Sequence, residues 1–253
     1  MQKRFNKKTV VWIAVTALIL GLILGFGAYV SEYYYGNTEE IQAFWAEKNV
    51  ERQFFDGGIA FGEEDSEVGF IFYPGGKVEY TAYEPLMAEL ASKGVLCVLI
   101  EMPFNLAVLD VNAADGICEA FPKIDRWYIG GHSLGGAMAA SYASKHKGDL
   151  DGVVLLGAYS TADLSSTPLR VLSVYGSEDG VMNREKYSKY KRNLPIDFTE
   201  TVIEGGCHSY FGMYGMQDGD GTPKLTPARQ IGLCADHIAE FFMQEEIGNA
   251  QDH

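Results

Sequence analysis

The residues of this chain best suited to chemistry are Gly131-His132-Ser133-Leu134-Gly135, a G-x-S-x-G pattern between the apolar run Arg126–Gly130 and the small-residue stretch Leu134–His146. A serine on a sharp strand-to-helix turn sits in a crowded backbone conformation, and the flanking glycines remove the side chains that would collide there. The turn also sets the hydroxyl at a helix N-terminus, where N–H groups and the dipole favour developing negative charge. In a chain with 29 glycines the pattern alone is weak. The strand before it, the helix after it and Gly136, which lets that helix lie close, make Ser133 a nucleophile rather than a structural turn.

A serine hydroxyl needs a base to take its proton, and the base needs a carboxylate to fix its tautomer. With this elbow the partners are expected in the order serine, acid, histidine. His208 fits the base, because Gly205-Gly206-Cys207-His208-Ser209 forms a loop after the last strand-like run. His132 lies inside the elbow, His146 and His237 fall on helices, and His253 is terminal. Asp179, in the turn Gly176-Ser177-Glu178-Asp179-Gly180, is the preferred acid; Glu178 and Asp163 are the alternatives. For the oxyanion, Leu134 offers the N–H after the nucleophile, and Pro74-Gly75-Gly76-Lys77 offers a second donor, Gly76 slightly ahead of Gly75.

Positioning these groups requires strands that end on one edge. Short apolar runs at Val68–Tyr73, Val95–Glu101, Arg126–Gly130, Gly152–Leu156, Val171–Tyr175 and Phe198–Ile203 read as strands. Helical patterns at Ala82–Ser92, Leu134–His146, Arg184–Asn193 and Pro227–Gln244 alternate with them. The fold class is α/β, a mostly parallel central sheet flanked by helices.

The 253 residues carry a net charge of −14, with Lys3, Arg4, Lys7 and Lys8 gathered ahead of an apolar run. Everything after them holds 16 basic against 34 acidic residues, a balance of −18 that argues against nucleic acid as a partner. Val10–Val30 contains 21 residues without a charge, enough helix to span about 30 Å of hydrocarbon. Gly25, Gly27 and Ala28 imitate a signal-peptide cleavage site poorly, so the run reads as an uncleaved anchor, N-terminus cytoplasmic and the rest outside the cell. The organisation expected is a basic tail over 1–9, a transmembrane anchor over 10–30, a juxtamembrane linker helix within 31–49 with Thr38 as its N-cap, a single domain over 50–247, and a tail over 248–253. Cys97, Cys118, Cys207 and Cys234 match no metal spacing and leave any disulfide pairing open; Cys207, without an elbow, is a poor nucleophile.

YPGGKVEY, EMPFNLAVLD, GGHSLGG, YGSEDG and GGCHSYFGMYG together resemble the α/β-hydrolase superfamily, in particular a compact bacterial branch related to dienelactone-hydrolase-like esterases, over about Val68 to Phe242. The resemblance implies a Ser133–Asp179–His208 triad, no organic or metal cofactor, and hydrolysis of a small ester or acyl substrate through an acyl-enzyme. Serine stands where the dienelactone hydrolases carry cysteine. Only Ala158–Leu169 fills the interval where larger relatives insert a lid, so the site should be open, shaped by Pro103–Leu109, Tyr159–Thr167 and the loop after His208, with Phe104, Leu106, Tyr159, Tyr210, Phe211 and Tyr214 as aromatic and apolar lining. Asp218 and Asp220 only faintly imitate a calcium loop, and GMYGMQDGDGTP reads as flexible. The function expected is a membrane-anchored carboxylic-ester hydrolase. A thioesterase, acyltransferase or peptidase with the same triad, or a catalytically silent binding module, are the alternatives.

Overall fold

The computed structural model describes residues 6–46, 48 and 50–244; the start of the basic tail, Asn49 at the end of the expected linker helix, and the tail over 248–253 lie outside them. The chain divides into two compact units, Met1–Tyr33 and Tyr34–His253. The first holds α1 (Lys7–Ser31), capped by the Asn6 side chain, with no buried residue. Among the described residues it is the helix long and apolar enough to cross a membrane.

In the second unit α2 (Thr38–Trp45) precedes β1 (Arg52–Phe55), β2 (Gly58–Phe61), β3 (Val68–Tyr73), α3 (Glu84–Ala91), β4 (Val95–Ile100), α4 (Ile117–Ala120), β5 (Arg126–His132), α5 (Leu134–Ala143), β6 (Gly152–Leu156), β7 (Arg170–Gly176), α6 (Arg184–Tyr190), β8 (Thr199–Ile203) and α7 (Pro227–Met243). The eight strands form one sheet in the order β1-β2-β4-β3-β5-β6-β7-β8. β3 to β8 run parallel, and β1 and β2 join antiparallel at the edge. This is an α/β-hydrolase fold, and no helix is inserted between Leu156 and Arg170.

The central strands are buried on both faces because a hydrophobic layer covers each. Phe70 and Phe72 of β3 face a core with Leu86, Phe241 and Phe242, while Ile71 and Tyr73 face another with Ile129, Ala139 and Leu155. That alternation follows the two-residue period of a strand.

Three local readings change. The hairpin β1–β2 was not expected, although Asp56-Gly57 between Phe55 and Gly58 is a strong two-residue turn signal and Gly57 takes the left-handed φ of 104°. The cap of α2 is Asn37, whose side chain accepts from the Glu40 N–H, and not Thr38, the first helical residue. The helix itself, expected to link membrane and domain, packs on the hydrolase core: Ile41 is buried, Trp45 stacks on Phe61 at 6.1 Å, and the Trp45 Nε1–H donates to Glu84 at 3.0 Å.

Candidate active site

Ser133 follows the last residue of β5 and precedes α5, with φ 52° and ψ −118°. For a residue with a Cβ this backbone costs on the order of 1–3 kcal/mol and must be held by its surroundings. The Ser133 N–H donates to the Leu156 carbonyl at 2.9 Å, tying the elbow to β6, and its carbonyl accepts from the Ala137 N–H at 3.2 Å. A Cβ on Gly131 would run into the Tyr73 carbonyl oxygen, and one on Gly135 into the carbonyls of Tyr73 and Pro74. Both glycines are therefore needed for α5 to close against the end of β3.

The parallel register brings the ends of β5, β7 and β8 to one edge. There His208, fully buried, has its Nδ1 2.9 Å from Asp179 Oδ2. The other oxygen, Asp179 Oδ1, accepts from the N–H groups of Val181 at 3.0 Å and Met182 at 2.8 Å, so the carboxylate has one orientation. Of the three acids the sequence left open, Asp179 is the one brought to His208. Glu178 turns to Lys224, 2.7 Å away, which with the Lys224 charge holds its carboxyl below the usual range. Asp163 bonds Ser165 N at 3.0 Å and Oγ at 2.6 Å in its own loop. Gly157, with φ 53°, passes beneath the pair; a Cβ there would stand 2.9 Å from His208 Nδ1.

On the other side of the elbow, Gly75 donates its N–H to Tyr83 Oη at 3.1 Å, and Tyr83 Oη lies 2.8 Å from His132 Nδ1. The hydroxyl that accepts from Gly75 has its own proton to give to Nδ1 of a neutral His132. Burial, with the nearby His208 ring, pushes His132 well below its ordinary pKa and keeps it neutral, as this bond requires. Gly75 is thus committed, while Gly76 lies against Leu134, with a Cβ there only 2.8 Å from Leu134 Cδ2. Lys77, Phe104 and Asn105 adopt φ of 59°, 54° and 56°, and the Lys77 N–H donates to the Asn105 carbonyl at 2.8 Å. Among the described residues the left-handed non-glycines are these three and Ser133 itself, as expected of strain held at a functional site.

Residues 69–231 match the model of the alpha/beta hydrolase family. The chain belongs to that family. Among solved structures, a predicted CIB-like hydrolase from Thermoplasma acidophilum is similar at 14% identity and a TM-score of 0.54, over 76% of this chain and 99% of that one. A dienelactone hydrolase from Anabaena variabilis is similar at 15% and 0.55, over 74% and 90%. At such identities the likeness is one of fold. No curated protein matches.

In this α/β-hydrolase a cleft of about 390 Å³ opens beside Ser133, walled by Leu134, Ala137, Met138, Tyr159, Val181 and Met182. Tyr159 is braced by stacking on Tyr190 at 5.5 Å. The lining expected from sequence is corrected in part. Leu106, Phe211 and Tyr214 are buried in the interior, and Phe104, 59% exposed, and Tyr210 are not among the cleft's walls. Met138 and Met182 were missed because Met138 sits on a helix face and Met182 in a loop, positions that spacing cannot separate from core. A larger groove, about 480 Å³, lies between Glu51, Arg52, Glu63, Glu64 and Lys123, and shares no residue with the cleft at Ser133. Its walls bring carboxylates and cations but neither the serine of the elbow nor the His208–Asp179 pair. Burial pushes the Cys207 thiol up to about 12, so beside His208 it remains a thiol and not a competing nucleophile. The four cysteines are free.

Proposed function

We propose that the protein is a serine hydrolase that cleaves carboxylic esters of small or medium acyl groups through an acyl-enzyme. The observation that carries this is a left-handed serine at a helix start on the same sheet edge as a buried His208–Asp179 pair. In this reading Ser133 Oγ attacks the carbonyl carbon and its proton passes to His208 Nε2, a buried atom with no hydrogen-bond partner among the described residues. Asp179 keeps the other proton on Nδ1 and stabilises the imidazolium. The N–H groups of Gly76 and Leu134 take the oxyanion, Gly75 being committed to Tyr83. The imidazolium then returns its proton to the leaving alcohol oxygen as the tetrahedral intermediate collapses; water repeats the sequence to release the acid. The open cleft and the absence of a helical lid suit small or extended acyl groups.

A fluorophosphonate probe on the full chain tests this directly. It should add one phosphonyl group to Ser133, seen by peptide mass, with fluoride as the leaving group. Folded protein that stays unlabelled would sink the reading.

The same proposal places the hydrolase outside the cell, held by α1. Support comes from a helix apolar on all faces and from the four cations ahead of its apolar core. A periplasm-dependent reporter fused after Gln251 should be active, and a reporter active only in the cytoplasm would refute the orientation.

A further inference from the structure

The stretch that reads as a loose loop, GMYGMQDGDGTP, contains one of the most heavily bonded carboxylates in the protein. Asp220 Oδ1 accepts from the N–H groups of Gly180 at 3.1 Å, His208 at 3.1 Å and Gly221 at 2.8 Å. Its Oδ2 accepts from Ser209 N–H and Ser209 Oγ, each at 2.7 Å. We propose that Asp220 is a positioning residue of the hydrolase site, a clamp that fixes the loop of the base to the loop of the acid. The inference rests on the serine-hydrolase reading and adds a residue that the elbow and the triad pattern do not include.

The connectivity supports a role specific to the site. Gly180 is the residue after Asp179, so a single carboxylate oxygen bridges the backbone of the base to the residue beside the acid. The side-chain bond between His208 and Asp179 then closes a ring whose other half is Asp220. Loop-to-loop approach here is close: a Cβ on Gly180 would stand 2.6 Å from the Gly219 carbonyl, and one on Gly221 would strike the Glu178 carbonyl. Ser209 Oγ, donating to Asp220, in turn accepts from the Gln217 N–H at 2.8 Å, so the loop is fastened at both ends.

All five partners of Asp220 are donors, which is a demand only an ionised carboxylate meets in full. Burial acts to raise its pKa, but the bonds from Ser209, Gly180 and His208 outweigh this and hold it below the ordinary range. The same five donors exclude the calcium-loop reading, since these oxygens face N–H and O–H groups. Around His208 the facing titratable groups are Asp179 at 2.9 Å, the neutral His132 ring at 4.4 Å, the Cys207 thiol beside it in the chain, and Asp220 against its backbone. Tyr83 and Tyr214, behind His132, are held protonated by burial.

The test is Asp220→Asn in the full chain, assayed on p-nitrophenyl butyrate across pH. The amide must turn an NH2 towards donors, so the base should lose its alignment. A misplacement of about 1 Å is worth about 100-fold, and kcat should fall about 10- to 100-fold with KM within about threefold. The loss should fall on kcat and leave KM, a split that a purely structural residue would not give. Ser209→Ala keeps the charge and removes one donor. It should lower kcat about three- to tenfold, and it serves if Asp220→Asn does not fold. Wild-type kcat in folded Asp220→Asn, or wild-type kcat in Ser209→Ala where Asp220→Asn is unfolded, would overturn the clamp. A rate within tenfold of the parent in Ser133→Ala would instead overturn the serine-hydrolase reading, and the clamp with it.

Discussion

Replacing Ser133 with alanine should lower kcat on p-nitrophenyl butyrate by about 10⁶, with KM little changed and the fold intact. The size follows from the proposed mechanism, in which the hydroxyl carries both the acyl-enzyme and the proton relay to His208; loss of a serine nucleophile in such a unit costs about this much. Residual turnover, about 10³ over water, should come from the Gly76 and Leu134 donors acting on an attacking water. The fold should survive because the elbow is held by backbone contacts, the Ser133 N–H to Leu156 and its carbonyl from Ala137, which alanine keeps. Alanine also bears the left-handed φ at a cost like that of serine, so stability should change little. A melting temperature near that of the parent protein, together with the kinetic loss, separates chemistry from unfolding. A rate within tenfold of the parent would place the nucleophile elsewhere.

How far such a site is legible in sequence depends on whether a residue's role comes from local spacing or from distant neighbours. The glycines around Ser133 act within one turn, so their pattern is visible in five letters. The parallel strands, buried on both faces, are visible as apolar runs, and β3 and β6 have the bounds expected of them. The edge hairpin escaped because Arg52 and Gln53 of β1 are solvent-facing and carry no apolar period; only its Asp56-Gly57 turn marks it. Asp220 could not be read as a clamp, because its partners other than Gly221 lie 11 to 40 residues away in sequence and its glycine-rich surroundings suggest mobility. Tyr83 is similar: nothing in its helix-start sequence connects it to Gly75 and His132, and only folding sets its hydroxyl between them. The aromatic residues near the site show the converse error. Phe211 and Tyr214 follow His208 closely, but one side of that loop faces the core, and sequence distance from a base does not tell which side a ring takes.

Asp179→Asn should lower kcat by about 10⁴ in a protein that still folds and still carries Ser133 and His208 in place. The hydrogen bonds around the carboxylate dictate how the amide will sit. Oδ1 receives two backbone N–H groups, from Val181 and Met182, and an asparagine keeps its carbonyl there because an NH2 would face two donors. The NH2 therefore replaces Oδ2 and points at His208 Nδ1. Nδ1 must then accept, which moves the imidazole proton to Nε2, the nitrogen that should take the proton of Ser133. The base is present, correctly placed and in the wrong tautomer. Glu178 offers no rescue, since Lys224 holds its carboxylate at 2.7 Å and turns it away. Raising the pH should not restore the rate either, because the obstacle is the site of a proton on a neutral ring and not its charge. Nitrogen shifts of His208 should report protonation at Nε2 in the variant and at Nδ1 in the parent. A variant that keeps Nδ1 protonated, or that loses less than tenfold in kcat, would show that Asp179 does not orient the base.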